Sequence, residues 1–240
     1  MTATVERTGG TARSGRSTVL LGLLAVLAVV GLVALGTWQV QRRAWKLDLI
    51  AQVDARLRAP PVPAPSPSAW SRVTRSDAYT RLQVDGVWLA GMDTLVKAVT
   101  ARGSGWWVMT PLRMHDGTTV LVNRGFVPAR AYRQAQGKAS VTGLLRISEP
   151  GGGFLRSNDP VANAWYSRDV RAIAAHRRLS MVAPYFIDAD ATPGPGDTPI
   201  GGLTVIAFSN NHLVYALTWY GLALMVAGGY ALLLRERSRT

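Results

Sequence analysis

Two uninterrupted apolar runs set the limits on any fold this sequence can take. Val19 to Leu35 is 17 consecutive apolar or glycine residues. Thr37 and Trp38 carry it to about the 20 residues that cross a bilayer core. Leu213 to Leu234 is 22 residues without a charge, its polar groups being Thr218 and the hydroxyls of Tyr215, Tyr220 and Tyr230. Hydrocarbon cannot satisfy an open backbone, so each run reads as a spanning helix rather than a buried core helix. The charged share agrees, at 17% against roughly 25% in soluble domains. A cleavable signal peptide competes for the first run, because Arg7, Arg13 and Arg16 precede it and Ala34-Leu35-Gly36 closes it. The run exceeds the roughly 7–15 residues of a signal core and flows directly into Trp38-Gln39-Val40-Gln41-Arg42-Arg43. An uncleaved anchor is expected.

Two spans put both termini on one side of the membrane, and the short basic tails, residues 1–18 and 235–240, place that side in the cytoplasm. The spans themselves are 19–38 and 211–234. Between them Gln39 to Asn210 holds 172 residues, 21 basic and 12 acidic. A segment of that length translocates largely regardless of charge, so it lies outside the cytoplasm. The tails are too small for a signalling domain. Neither span carries the charge that marks an ion path. Cysteine is absent from the whole chain, which removes disulfides, thiolate metal sites, covalently attached haem and cysteine nucleophiles together.

The first helix is expected to continue past Trp38 over residues 39–59, with Trp38, Trp45, Leu49, Val53 and Leu57 on one face. Pro60, Pro61, Pro63, Pro65 and Pro67 then predict an extended, polyproline-like spacer over 60–69. Residues 70–210 alternate like strands at Arg81–Leu89, Thr94–Val99, Trp106–Met114, Thr118–Asn123, Val141–Ile147, Val182–Ile187 and Leu203–Phe208. Asp116-Gly117 supplies a hairpin turn. Ser167 is placed to cap a helix carrying Val170, Ile173, Ala174 and Leu179. Gly151-Gly152-Gly153 and Pro193-Gly194-Pro195-Gly196 mark loops. The fold class is two transmembrane α-helices flanking one extracytoplasmic β-rich α+β domain.

Chemistry-bearing motifs are few. No H-E-x-x-H pair, G-x-S-x-G elbow or Walker loop occurs. Asp188, Asp190 and Asp197 miss calcium-loop spacing and read as a solvated turn. Basic residues are scattered rather than interleaved with aromatics, so a nucleic-acid partner is not expected. Of the three histidines, His115 adjoins the hairpin turn and His176 follows the polar side of a helix, both readings of simple solvation. His212 stands at the mouth of the second span with Tyr215 and Trp219 three and seven residues on. There an imidazole serves either as an axial ligand to a lipid-dissolved haem or, with Asn210 and Asn211, as a cap on the helix N–H groups. The residues alone favour the cap.

Three blocks then resemble the surfeit-locus-one family of cytochrome c oxidase assembly proteins. They are Gly36-Thr37-Trp38-Gln39-Val40-Gln41-Arg42-Arg43 with Trp45-Lys46, Val122-Asn123-Arg124-Gly125-Phe126-Val127-Pro128, and Asn211-His212-Leu213-Val214-Tyr215-Ala216-Leu217-Thr218-Trp219-Tyr220. Phe154 to Pro160 and Trp165 to Asp169 are similar to stretches of its proteobacterial members. Phe126 stands where a tryptophan is common. The resemblance implies a non-enzymatic factor in the inner membrane, its large loop periplasmic. It would hold haem a, with iron on His212, and help deliver it to the oxidase catalytic subunit, with the haem a synthesis machinery and membrane lipid as further partners. Tyr215 and Trp219 would supply aromatic walls and Arg42 and Arg43 cations for the propionates; head-group contact is the competing role for the two arginines. A scaffold that stabilises a nascent oxidase subunit without touching haem is the alternative. A hydrolase built on Asp159, Asp169 or Asp188 is a third. Arg124 docks a partner, binds a propionate or fixes a turn, and its block reads as structural, with Gly125 answering a backbone need.

Overall fold

A computed structural model describes residues 11–153, 155–191, 196, 198–204 and 210–239. The chain forms two compact units, one of residues 1–51 with 207–240 and the other of residues 52–206. Two helices build the first. Helix α1 (Thr11–Arg58) runs unbroken for 48 residues. Helix α3 (His212–Arg237) has 26. Both are long and apolar enough to cross a membrane. Proline at 60 and 61 ends α1, since it removes the N–H that the next turn needs.

Inside the first unit the two helices pack antiparallel along a seam visible in their exposure. On α1 the less exposed positions between residues 19 and 40 are Gly22, Ala25, Val29, Leu32, Gly36 and Gln39. On α3 they include His212, Ala216, Trp219, Ala223, Val226, Tyr230 and Leu233. Both series alternate three- and four-residue steps, the repeat that keeps one stripe facing a partner helix. Small residues let the backbones approach. Gly36 lies against the Tyr220 ring and Gly22 against the Tyr230 hydroxyl. The Tyr220 hydroxyl sits 3.1 Å from Thr37 Oγ1.

The second unit begins with β1 (Val62–Pro63), followed by β2 (Arg81–Trp88), β3 (Thr94–Thr100), β4 (Gly103–Met114), β5 (Thr119–Val127) and β6 (Lys138–Ile147). A small pair, β7 (Gly152–Gly153) and β8 (Arg156–Ser157), precedes α2 (Val170–His176) and β9 (Val182–Ala189). The large sheet runs β1-β2-β6-β9-β5-β4-β3, and a further β2–β4 pairing closes β2, β6, β9, β5 and β4 into a ring. Its pairs are antiparallel except β1–β2 and β5–β9. Strand alternation builds two cores. Leu82, Val84, Val120, Val122, Tyr185 and Ile187 belong to one. Leu121 and Phe186, from the opposite faces of β5 and β9, join Val96, Met109, Trp165 and Ile173 in the other, which α2 covers. Strands covered on both faces read as continuous apolar runs, as Thr119–Val122 and Tyr185–Ile187 do.

Several expectations need correction. Residues 60–69 are not a free spacer. β1 pairs with Leu82 and Gln83, and the 3₁₀ turn Pro67–Arg72 follows. Pro65 supplies its carbonyl to the Trp70 indole N–H at 3.0 Å and to the Tyr185 hydroxyl at 3.3 Å. Proline lacks a donor but keeps an acceptor, so it is tolerated at a sheet edge. Asp169, not Ser167, caps α2, its carboxylate accepting the Ala172 N–H at 3.1 Å. Ser167 instead donates to the Glu149 carbonyl. The first and last of the three consecutive glycines differ in role, since Gly152 and Gly153 form β7. Leu203 and Thr204 have no regular structure, and the rest of the strand expected there lies outside the described residues, as does most of Pro193–Gly196.

Candidate functional site

His212 opens α3, and its ring reaches across to α1. Nδ1 lies 2.7 Å from the Gln39 side-chain oxygen. An amide oxygen only accepts, so Nδ1 carries the proton and Nε2 keeps the lone pair. Protein metal sites use this arrangement: a carbonyl or carboxylate on one ring nitrogen fixes tautomer and orientation while the other binds. The capping alternative does not match the contacts. Asn211, at the N-cap position, makes no side-chain cap hydrogen bond, and the imidazole contacts Gln39 rather than a helix N–H.

The remaining expected site residues distribute unevenly around this contact. Trp219 stands on the same stripe, two turns along, half-buried. Its indole N–H is buried with no hydrogen-bond partner. Arg43 lies one turn beyond Gln39 on the same face of α1 and is half-buried. Arg42 is turned aside and stacks on Trp45, its guanidinium carbon 4.2 Å from the ring centroid. Tyr215 is 54% exposed, on the flank of α3 rather than in the seam. Gln39 carries the geometry, yet nothing in the sequence marked it beyond its place in the first block.

A second polar centre lies in the β unit, and its long-range pairing hid it from the sequence. Asp188 is not in a solvated turn: it is the penultimate residue of β9, at 4% exposure. Its carboxylate accepts from Asn123 at 2.8 Å, Arg146 at 2.9 Å, Arg168 at 3.1 Å and Thr204 at 2.8 Å. Arg168 also grips Glu149 through two nitrogens, at 2.5 and 3.0 Å. Burial lowers the Arg168 pKa, but its hydrogen bonds to Glu149 and the Asp188 charge outweigh it and the net shift is upward. Burial pushes Glu149 up, and Arg168 more than reverses that, leaving it below the usual carboxylate range. Every charge here has a partner, the condition under which a buried ion pair persists. The cluster locks β5, β6 and β9 together.

The block at 123–125 is divided in role. Asn123 accepts the Gly125 N–H at 3.1 Å as well as donating to Asp188. Gly125 has φ +128°. Arg124 points away from that cluster, and one of its nitrogens donates to the Arg133 carbonyl at 3.2 Å. His115 is exposed beside its turn. His176 is not merely solvated, because it packs edge-on to the buried Trp165 ring with centroids 5.6 Å apart. Asp159 accepts backbone N–H groups of Val161 and Ala162 and Asp169 caps α2, so neither is poised as an acid–base pair. Among the described residues no group of three acidic or histidine side chains is arranged to hold a metal ion.

Comparison with known proteins agrees with the layout. A family model described as the SURF1 family matches residues 26–224. Surfeit locus protein 1 of Homo sapiens is 37% identical over 212 residues, covering 79% of this chain and 69% of that protein. The Mus musculus protein of that name is 37% identical over 211 residues, covering 78% and 67%. That of Xenopus tropicalis is 34% identical over 235 residues, covering 88% and 74%. With the matched stretch running from inside α1, through every strand, to inside α3, the chain belongs to the SURF1 family.

Proposed function

We propose that the chain is a membrane-anchored assembly factor for haem–copper cytochrome c oxidase, holding haem a through His212 and helping deliver it to the catalytic subunit. α1 and α3 are its membrane anchors, with both termini cytoplasmic and the β unit periplasmic. The observation that carries this reading is the His212–Gln39 contact of 2.7 Å. It engages Nδ1 and leaves Nε2 uncommitted among the described residues, and an imidazole nitrogen suits haem iron. The unpartnered Trp219 N–H is a second fitting group, a donor waiting for an acceptor inside the helix pair. Arg43, half-buried one turn from Gln39, is placed to meet a carboxylate, whereas Arg42 is engaged by Trp45. When bound, haem a supplies the redox-active iron centre that the oxidase requires. The chain's own work is to orient an imidazole, offer donors and exclude water; it performs no turnover.

Absorption spectra of the protein purified from cells that make haem a, and from cells that do not, test the reading. The first preparation is expected to carry the pigment and His212→Ala to lose it. Gln39→Leu is expected to weaken occupancy about ten-fold or more, the effect of removing the group that orients a metal-bound histidine. Full occupancy in His212→Ala sinks the ligand assignment. Co-purification with the oxidase catalytic subunit from cells lacking haem a, with no pigment ever bound, establishes the scaffold role instead.

A further inference from the structure

Five buried side-chain polar atoms among the described residues have no hydrogen-bond partner, and two of them, on Arg124 and Thr198, line one cavity. It has a volume of about 230 Å³ and lies where β2, β5, β6 and the end of β9 meet. Trp88, Ser140, Thr142 and Asp190 also line it. Ser140 is exposed, so the cavity communicates with solvent.

A buried guanidinium nitrogen without an acceptor is expensive to keep, about 1–3 kcal/mol or more for a charged group. Among the described residues no acceptor relieves it. The Arg124 guanidinium lies 5.9 Å from the Trp88 centroid, which contributes attraction to the ring but no acceptor for the N–H. Asp93, the neighbouring acid, already accepts from Thr110 at 2.6 Å and Tyr132 at 2.8 Å. Asp190 is held by Arg81 at 2.5 Å. Consistent with this, burial pulls the Arg124 pKa down despite the Asp93 charge. An arginine and a hydroxyl have thus been buried facing one space, with their donors unspent.

We propose that this cavity is a binding site for a single carboxylate group, received by the Arg124 guanidinium and the Thr198 hydroxyl. The charge balance selects a monoanion. Arg124 contributes a cation that the Asp93 charge only partly offsets, whereas Arg81 and Asp190 form an ion pair, so a doubly charged phosphate or sulfate would meet the Asp190 carboxylate with at least half its charge unmatched. The size selects a small guest: the volume is below the roughly 300–1,000 Å³ of sites that enclose a drug-sized ligand. A whole porphyrin does not fit within that volume. A small organic acid and an acidic side chain of another polypeptide present the same group.

Thermal unfolding of the full-length protein in detergent, with sodium acetate titrated against sodium chloride and sodium sulfate at constant ionic strength, tests the site. Acetate is expected to raise the unfolding temperature saturably, and sulfate to give only the gradual, non-saturating rise of an excluded salt. Arg124→Gln is expected to abolish the increment, and Thr198→Val to weaken the acetate affinity about ten-fold. Thr198→Val is near-isosteric, so it keeps the test open if Arg124→Gln folds poorly. A short peptide with one glutamate binding more tightly than acetate points to a protein side chain as the natural guest; equal affinity points to a small acid. No saturable acetate effect, an equal effect of sulfate, or an unchanged effect in Thr198→Val overturns the proposal.

Discussion

A Cβ added at position 125 would lie 2.2 Å from the Ile200 backbone carbonyl, and φ there is +128°, a region that side-chain-bearing residues rarely enter. The obstacle is backbone, which cannot rotate aside. Gly125→Ala is therefore expected to lower stability by about 1–3 kcal/mol from backbone strain, with steric overlap in addition. Gly117→Ala, also at positive φ but facing open space, is the control that isolates the overlap. Denaturant unfolding of both variants measures the difference. The need for glycine at 125 was legible in the sequence because it is a local backbone matter. Its neighbour Asn123 was not, since its partner Asp188 lies 65 residues away and only the β5–β9 pairing brings them together. A triplet of aspartates near a glycine-rich stretch carries the composition of a surface turn, and composition cannot report that two arginines arrive from elsewhere.

The apolar helices show the reverse balance. Their existence and the C-terminal end of α1 followed from run length and prolines, but the start of α1 at Thr11 and the stripe on which the helices meet did not. A helix apolar on every side gives no hydrophobic contrast, so the contact face is marked only by small residues at three- and four-residue steps. Gly36 is the tightest informative case: a Cβ there would meet the Tyr220 ring at 2.7 Å, whereas Gly31 has nothing within 4 Å. Gly36→Leu is expected to push α1 and α3 apart and Gly31→Leu to leave them in place. Spin-label distances between the two helices in detergent resolve the two outcomes. The same displacement would break the Gln39–His212 hydrogen bond, so pigment occupancy is expected to fall with Gly36→Leu alone. The strands, by contrast, were legible from alternation, though β4, β5 and β6 extend beyond the runs expected for them. Glycine at 103 and 105 and polar residues at 138 and 140 obscured those ends.

At the scale of the whole molecule, the two compact units meet acid differently. Glu149 has a folded pKa held below its unfolded value, so its stabilisation is complete above the ordinary carboxylate range, near 4.3. It is lost as pH falls through the lower folded value. At 38% side-chain exposure its own share is modest, but it holds Arg168, which in turn holds Asp188. The stripe between α1 and α3 contains no carboxylate. Tertiary aromatic circular dichroism is therefore expected to collapse below about pH 4, while a substantial far-ultraviolet helical signal persists. In Glu149→Gln the collapse should become less steep. Coincident loss of both signals refutes this division. The strand order has a consequence in time as well. β9 is the last strand among the described residues yet sits between β5 and β6. Until Ala189 has left the ribosome, those two strands present bare edges, so this ring is completed by its final piece, and a pause in synthesis before that point strands an adhesive, unfinished intermediate.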